Sequence, residues 1–497
     1  MCVKMGSILT DMDNRNRQIT RRAILNTGAV ISGAAGIRRA LAADAPSPLM
    51  TAVSTYMSEA GSRKLPDAVT EKAKQMILDT FAAMISGSDL PPGRFAINFA
   101  RAYRGEGVST VAGSNVVCGP IEAALANGML AHSDETDDTH PPSQSHPGSS
   151  VVPSALAVGE KFGIDGTRFI RSVVLGYDIG PRVTATLGKL EYMFATHRST
   201  HALSGTFGSA AAAGCAANLN AKQMRWLLSY TAQQASGLAS WQRDTDHIEK
   251  AFDFAGMPAR NGVTAALLVA SGGTGVDDVF SGADNFFQAF IPMHDPAMLM
   301  DKLGERYEIT RTNVKKWTVG SPIQAPLDAL DNLLRKYRFD AEQVKEVKVR
   351  VATDEASIVD NREIPDICLQ HMVAVMLVDK TASFKSAHDV ARMKDPAILR
   401  QRAKVQLIKD AELERLMPRR EAVVEVTLTD GRMVSDRVGN VRGTMENPMT
   451  RDEIIAKARD LMTPVLGASK CQSLIDRVFD LESVRNVTQL RPLLQRS

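Results

Sequence analysis

The chain has 497 residues, 44% of them apolar and 23% charged, which is ample material for a large buried core and excludes general disorder. Basic side chains exceed acidic ones by three, but residues 1–42 carry that excess, and the remainder holds 52 basic against 54 acidic side chains. A body so near neutrality has no electrostatic footprint for nucleic acid. The five cysteines, Cys2, Cys118, Cys215, Cys368 and Cys471, stand far apart without a C-x-x-C pair. This argues against a zinc ribbon or a disulfide framework and for thiols that are core residues or incidental.

Residues 15–43 join a basic stretch to a modest apolar run, Ala23 to Ile37, and a small-residue end, Ala40-Leu41-Ala42. The run is too short to span a membrane. The core Thr20-Arg21-Arg22-x-Ile24-Leu25 resembles a twin-arginine export signal, so residues 1–43 are read as a removable signal and the mature protein as periplasmic; the alternative is a basic leader on a cytoplasmic protein.

From about 48 to 308 the pattern predicts one large helical domain. Pro66 opens a stripe at Val69, Ala73, Met76, Ile77, Phe81 and Met84 that ends at Gly87. Further helical patterns cover 121–132, 151–161, 166–179, 208–218, 222–236 and 257–271, and the run Gly208–Ala217 has side chains so small that its helix must pack closely on its neighbours. After Tyr307 the texture changes. Val347, Val349 and Val351, then Val424, Val426 and Leu428, alternate with polar residues as half-buried strands do, and Asp430-Gly431 supplies a hairpin turn into Met433–Val438. A smaller α+β domain is therefore expected over 309–444. Residues 445–497 return to helix, with Thr450 and Glu453 as a capping box, and are expected to pack back on the large domain. The fold class is mainly α with a small α+β lid.

The densest polar cluster runs from His132 to His146, where four acids (Asp134, Glu135, Asp137, Asp138) and three histidines (His132, His140, His146) fall within fifteen residues between two apolar helices. Such groups are costly to bury without a purpose. Two readings stay open on the residues alone: a carboxylate–imidazole metal site or a metal-free acid/base site, the spacing matching no H-E-x-x-H motif. Asp137 and Asp138 could instead bind nearby backbone N–H groups, His132 and His140 read as structural histidines, and His371 could simply pack among Leu369, Met372 and Val373.

The stretch Ala124–Gly148, ALANGMLAHSDETDDTHPPSQSHPG, resembles the signature of the MmgE/PrpD family, and so do Gly205–Ala213, the region Lys250 to Ala266, Pro365–Val375 and Arg442–Thr450. The resemblance implies a large helical domain, a smaller lid, a homodimer, and a site between the domains that handles small polycarboxylic acids with neither metal nor organic cofactor. The family's activities are dehydration of 2-methylcitrate, decarboxylation of cis-aconitate and epimerisation of an iminodisuccinate. The expectation is a hydro-lyase of the 2-methylcitrate dehydratase type; the alternatives are a decarboxylase or epimerase on the same scaffold, or a periplasmic carboxylate-binding protein without turnover.

Carried over by position, Thr139 and His146 match the family's threonine and H-P histidine, and Glu135 falls where its first aspartate stands. His201, before a Gly205–Gly208 turn, matches a second histidine, with His197 as rival, and Lys250 takes the place of the site lysine. His371 stands for a lid tyrosine and Gln324 for a histidine, two departures beside that of Glu135. In this reading His146 or His201 is the acid or base, Lys250 stabilises enolate-like charge, Glu135 and Asp138 orient the histidines, and Arg198, His197 and His371 help to bind substrate.

Overall fold

The stripe from Val69 to Met84 is buried along α1 (Asp67–Gly87), with Pro66 at its N-cap, where a fixed φ and a missing N–H cost nothing. The computed structural model describes residues 45–290 and 294–496; the export signal expected over 1–43, and Cys2, lie outside the described residues. Four helices follow as their patterns predict: α2 (Pro120–Ala131), α3 (Gly148–Phe162), α4 (Gly166–Thr186) and α5 (Thr200–Ala216), and α6 (Met257–Ala270) lies across α5. Their starts and ends differ from expectation at two places, each for a local reason. α4 runs through Pro181 rather than ending at 179, because Arg182 ties its last turns to Asp178 at 3.0 Å and to the carbonyls of Asp301 and Arg306. The Gly205–Gly208 segment is not a turn but part of α5, which starts earlier because Ser199 Oγ caps the Ala202 N–H at 3.2 Å.

Small residues bring α4 and α5 together. A Cβ on Gly180 would lie 2.3 Å from the Ser204 carbonyl oxygen, so the two backbones meet where only hydrogen fits. These helices share one hydrophobic core with α1 to α3, and with the C-terminal helices.

A second core begins at Trp317 and ends at Val441. Here α7 (Ser321–Tyr337) and α8 (Leu369–Asp379) cover a four-stranded sheet of β1 (Val344–Ala352), β2 (Val405–Asp410), β3 (Ala422–Leu428) and β4 (Met433–Val438). The order is β2-β1-β3-β4, with β1 and β2 parallel and the other pairs antiparallel. Val347 faces Val426 and Val349 faces Val424, which places the alternating valines on the buried face as the period-two pattern requires. Gly431, at φ +90°, makes the hairpin turn and donates its N–H to Leu428. The alternation did not reveal β2, an edge strand with only one well-buried residue at its start.

After Pro448 the chain re-enters the helical core. The capping box of Thr450 and Glu453 opens α9 (Arg451–Leu466), and Ile454, Leu461 and Leu474 are buried beside α1. Cys118, Cys215, Cys368 and Cys471 are buried free thiols. Among the described residues no helix is long and apolar enough to cross a membrane.

Candidate active site

α2 ends in an irregular turn at His132, and the polar segment that follows is held down residue by residue until Gly148 opens α3. Thr139 and Asn313 exchange backbone hydrogen bonds of 3.1 and 2.8 Å, an antiparallel bridge that lays the chain leaving the helical core against the segment. Two residues further on, Lys315 Nζ donates to the Glu135 carbonyl at 2.8 Å and stands 3.6 Å from both the Glu135 and Asp137 carboxylates. From the other side, a helical turn at Ile248–Ala251 runs into a π-helical turn, Phe252–Gly256, before α6 begins. Such wide turns commonly mark functional sites. This one brings the Lys250 ammonium onto the Glu135 carboxylate and drives the Phe254 ring among the imidazoles.

Around Phe254 the rings are close: His201 stacks on it at 3.8 Å, His132 at 4.5 Å, and Trp241 meets it edge-on at 4.6 Å. His146 lies 5.1 Å from His201 and 5.2 Å from His132, and His247 lies 5.3 Å from His132. Asp137 links two of them, 2.8 Å from His132 Nδ1 and 3.3 Å from His146 Nδ1. His132 Nε2, His146 Nδ1, His201 Nδ1 and His247 Nε2 are buried without an aligned hydrogen-bond partner among the described residues. Buried polar atoms are normally satisfied, so four such nitrogens in one cluster of rings mark a place that receives water or ligand.

Charge is arranged as sharply as the rings. Burial favours the neutral form of the Glu135 carboxyl, yet Lys250 and Lys315 hold it well below the usual carboxylate range. Burial acts likewise on Asp137, and His132, His146 and Lys315 outweigh it. His146 and His201 are pushed down by burial, His201 further by His146, His132 and Lys250; His247 falls to about 3 through burial and Lys250. These imidazoles are therefore neutral near pH 7, the form that accepts a proton.

The structure brings together Glu135, His146, His201 and Lys250 of the residues expected from sequence. Thr139 lies at the edge of the same segment through its backbone bridge. Asp138 turns away from the histidines: its carboxylate accepts from Tyr177 OH at 2.6 Å and from the Gly148 N–H at 3.2 Å, the backbone-binding alternative, and burial followed by the Asp137 charge lifts it to about 8. Glu135 holds lysines rather than orienting histidines; Asp137 does that work. His197 is an exposed helix cap at φ +58°, and the Arg198 guanidinium lies over Phe290 at 4.4 Å, so neither joins the cluster. His371 is fully buried in the second core with neither ring nitrogen partnered, and Gln324 caps the Trp317 and Val319 carbonyls. His140 is structural, bonded to Ser143 at 2.7 Å and Glu308 at 3.2 Å.

Sequence reasoning missed Lys315, Asp137, His132, His247 and His388 as members of the site. His388 comes from the second core and lies 3.0 Å from Asp134 and 3.9 Å from Asp366. Lys315 sits in an unremarkable Lys-Lys pair, and only the bridge at Thr139 places it.

His132, Asp137 and His146 bring ligand atoms within 4.8 Å of one another, the one such grouping among the described residues. A divalent ion there would share the Asp137 carboxylate with the Lys315 ammonium, an unfavourable like-charge neighbour. The set reads more simply as an acid/base relay beside two lysines, a site fitted to anionic, carboxylate-bearing substrates.

Two family domains account for that arrangement along the chain. The MmgE/PrpD N-terminal domain matches residues 51–299 and the C-terminal domain residues 317–481, and the chain belongs to the MmgE/PrpD family. A cis-aconitate decarboxylase-like protein of Aspergillus oryzae is 26% identical over 88% of this chain and 95% of its own length. The cis-aconitate decarboxylase of Aspergillus terreus is 25% identical over 91% and 96%, and that of Homo sapiens 24% over 87% and 91%. The family and these relatives support a lyase of small carboxylic acids.

Proposed function

We propose that the chain is a carboxy-lyase that removes one carboxyl group from a small unsaturated polycarboxylate of the cis-aconitate kind, and does so with its own side chains. The observation that carries this reading is the Lys250–Glu135–Lys315 group set against imidazoles with unpartnered ring nitrogens on an aromatic wall. The lysines hold the carboxylates that remain and stabilise the enolate-like charge left when the C–C bond to the departing carboxyl breaks. The departing group lies toward Phe254 and Trp241, where its charge is poorly solvated and neutral CO2 is preferred. The electron pair stays conjugated with a retained carboxylate, and a neutral imidazole of the His132–Asp137–His146 relay takes up a proton from solvent, with Asp137 stabilising the imidazolium, and passes it to the carbanion. The relatives favour this decarboxylation over the dehydration expected from the sequence signature.

The same proposal includes export of the mature protein and its action as a homodimer, the latter tested by sedimentation equilibrium. The reaction is tested by incubating purified protein with cis-aconitate, citrate and 2-methylcitrate and following products by NMR. Loss of one carboxyl from cis-aconitate is expected. Conversion of a hydroxy acid to an alkene with every carboxyl retained would replace the proposal with a hydro-lyase.

A further inference from the structure

Among the described residues, His388 is the imidazole that the second core presents to Asp134, in the middle of the polar segment. It closes a short helix, Phe384–His388, that is fixed to both cores: Phe384 packs on the helical core, its N–H donates to Asp460 at 2.7 Å, and Ala387 is buried in the second core. The ring is aimed as well as anchored. Nδ1 bonds the Phe384 carbonyl at 2.8 Å, which leaves Nε2 as the outward nitrogen. Nε2 is close in charge to Asp134 and Asp366, but neither carboxylate is aligned to accept its hydrogen, and both Nε2 and Asp134 Oδ2 are buried without a hydrogen-bond partner among the described residues.

Asp366, 3.9 Å from His388, also feels the charges of Glu135 and Lys250, so His388 and the Lys250–Glu135 pair meet the polar segment at the adjacent residues Asp134 and Glu135. Of the cations described there, Lys250 and Lys315 already donate to Glu135. His388 differs from them in having a single outward donor with no acceptor in line with it. Burial disfavours its charge, but Asp134 and Asp366 hold the imidazolium up to about 9, so it is cationic at neutral pH.

We propose that His388 determines substrate specificity: its Nε2–H binds a carboxylate of the substrate remote from the bond that breaks, and Asp134 occupies that position in charge until the substrate displaces it. The inference rests on the polycarboxylate reading above. It narrows the substrate class to acids with a second carboxylate far enough from the reacting one to reach across the two cores. It gives Asp134 two opposed parts: its charge keeps the imidazolium protonated, and it competes with the substrate for that imidazolium.

The test uses the full chain and two unreactive probes, propane-1,2,3-tricarboxylate and glutarate, with binding followed by titration calorimetry and turnover followed by NMR. His388→Gln is expected to raise KM and the tricarboxylate Kd at least tenfold, with kcat falling less than threefold, and to abolish the preference for three carboxylates over two. Asp134→Asn removes both a competitor and the charge that keeps the ring protonated, so it is expected to tighten tricarboxylate binding threefold to tenfold at pH 5 and to weaken it at pH 8. If the pair is only a structural clasp, both variants will weaken binding or lower kcat together at pH 5, and the inference is wrong. If His388→Gln does not fold, the direction of the Asp134→Asn change at pH 5 decides alone. Binding of neither probe by the unaltered protein overturns the functional reading and the inference with it; binding that His388→Gln leaves unchanged overturns the inference only.

Discussion

Replacing Asp137 by asparagine keeps the volume of the side chain and removes its charge, so it isolates what that carboxylate does. Asp137 holds His132 at 2.8 Å and faces His146 at 3.3 Å, while Lys315 stands 3.6 Å away. Charge-assisted contacts are worth about 1.5–3 kcal/mol each, and a unit charge some 4 Å from an imidazolium in an effective dielectric near 20 interacts by about 4 kcal/mol. Both figures place the loss of kcat at roughly 10²–10⁴-fold, at tenfold for about 1.4 kcal/mol. KM should change little, because Lys250 and Lys315 keep Glu135. The pH profile gives a second reading of the same change. Burial lowers the His146 pKa and Asp137 partly opposes this, so turnover that needs the protonated ring falls as pH rises, with its limb below the ordinary imidazole value, and Asp137→Asn should move that limb to still lower pH. Turnover and circular dichroism are measured together across pH 4–9. A folded variant within threefold of the parent kcat, with that limb unmoved, would refute the relay.

Asp138→Asn should be tolerated. A carboxyl lifted to about 8 contributes stability that is complete below the unfolded value near 3.8 and is lost as pH rises through 8, so the melting temperature of the variant relative to the parent should climb between pH 5 and pH 9; a flat difference contradicts the assignment. Turnover should survive exhaustive chelation within twofold, and activity lost to a chelator and regained with zinc would turn His132, Asp137 and His146 into metal ligands. Gly180→Ala forces a Cβ to 2.3 Å from the Ser204 carbonyl and should destabilise by about 2–3 kcal/mol or prevent folding, seen as a lowered urea midpoint. A reporter carrying residues 1–45 should reach the periplasm only while Arg21 and Arg22 are present, and a reporter retained in the cytoplasm ends the export proposal.

Helices whose apolar stripe repeats every 3.6 residues, such as α1, and strands whose valines alternate, such as β1 and β3, were legible because burial alone dictates those periods. The capping box at Thr450 and the turn at Gly431 were legible because their backbone demands specific residues. The Gly205–Gly208 segment misled, since glycines that permit helix contact look like glycines that break a helix. In the site, the segment from His132 to His146 declared itself by charge density. Which carboxylate serves which partner did not: Glu135, Asp137 and Asp138 occur within a four-residue stretch, yet they face lysines, histidines and a tyrosine respectively. Lys315 and His388 were hidden for another reason. They reach the segment through a chain reversal and across two cores, and neither contact leaves a local pattern.

The bridge at Thr139 keeps Asn313, and with it Lys315, attached to the helical part of the molecule, and the second core begins only at Trp317. Every group assigned to bond breaking therefore belongs to one half of the chain. The other half contributes Asp366 and His388 from two short segments of its own. Such a division lets the two change independently in evolution: a lineage could exchange the residues that choose the acid while inheriting the chemistry unchanged. It also tells the protein engineer where to diversify first, since a library confined to the segments around 366 and 388 would explore new acids without touching the lysines or the imidazole relay.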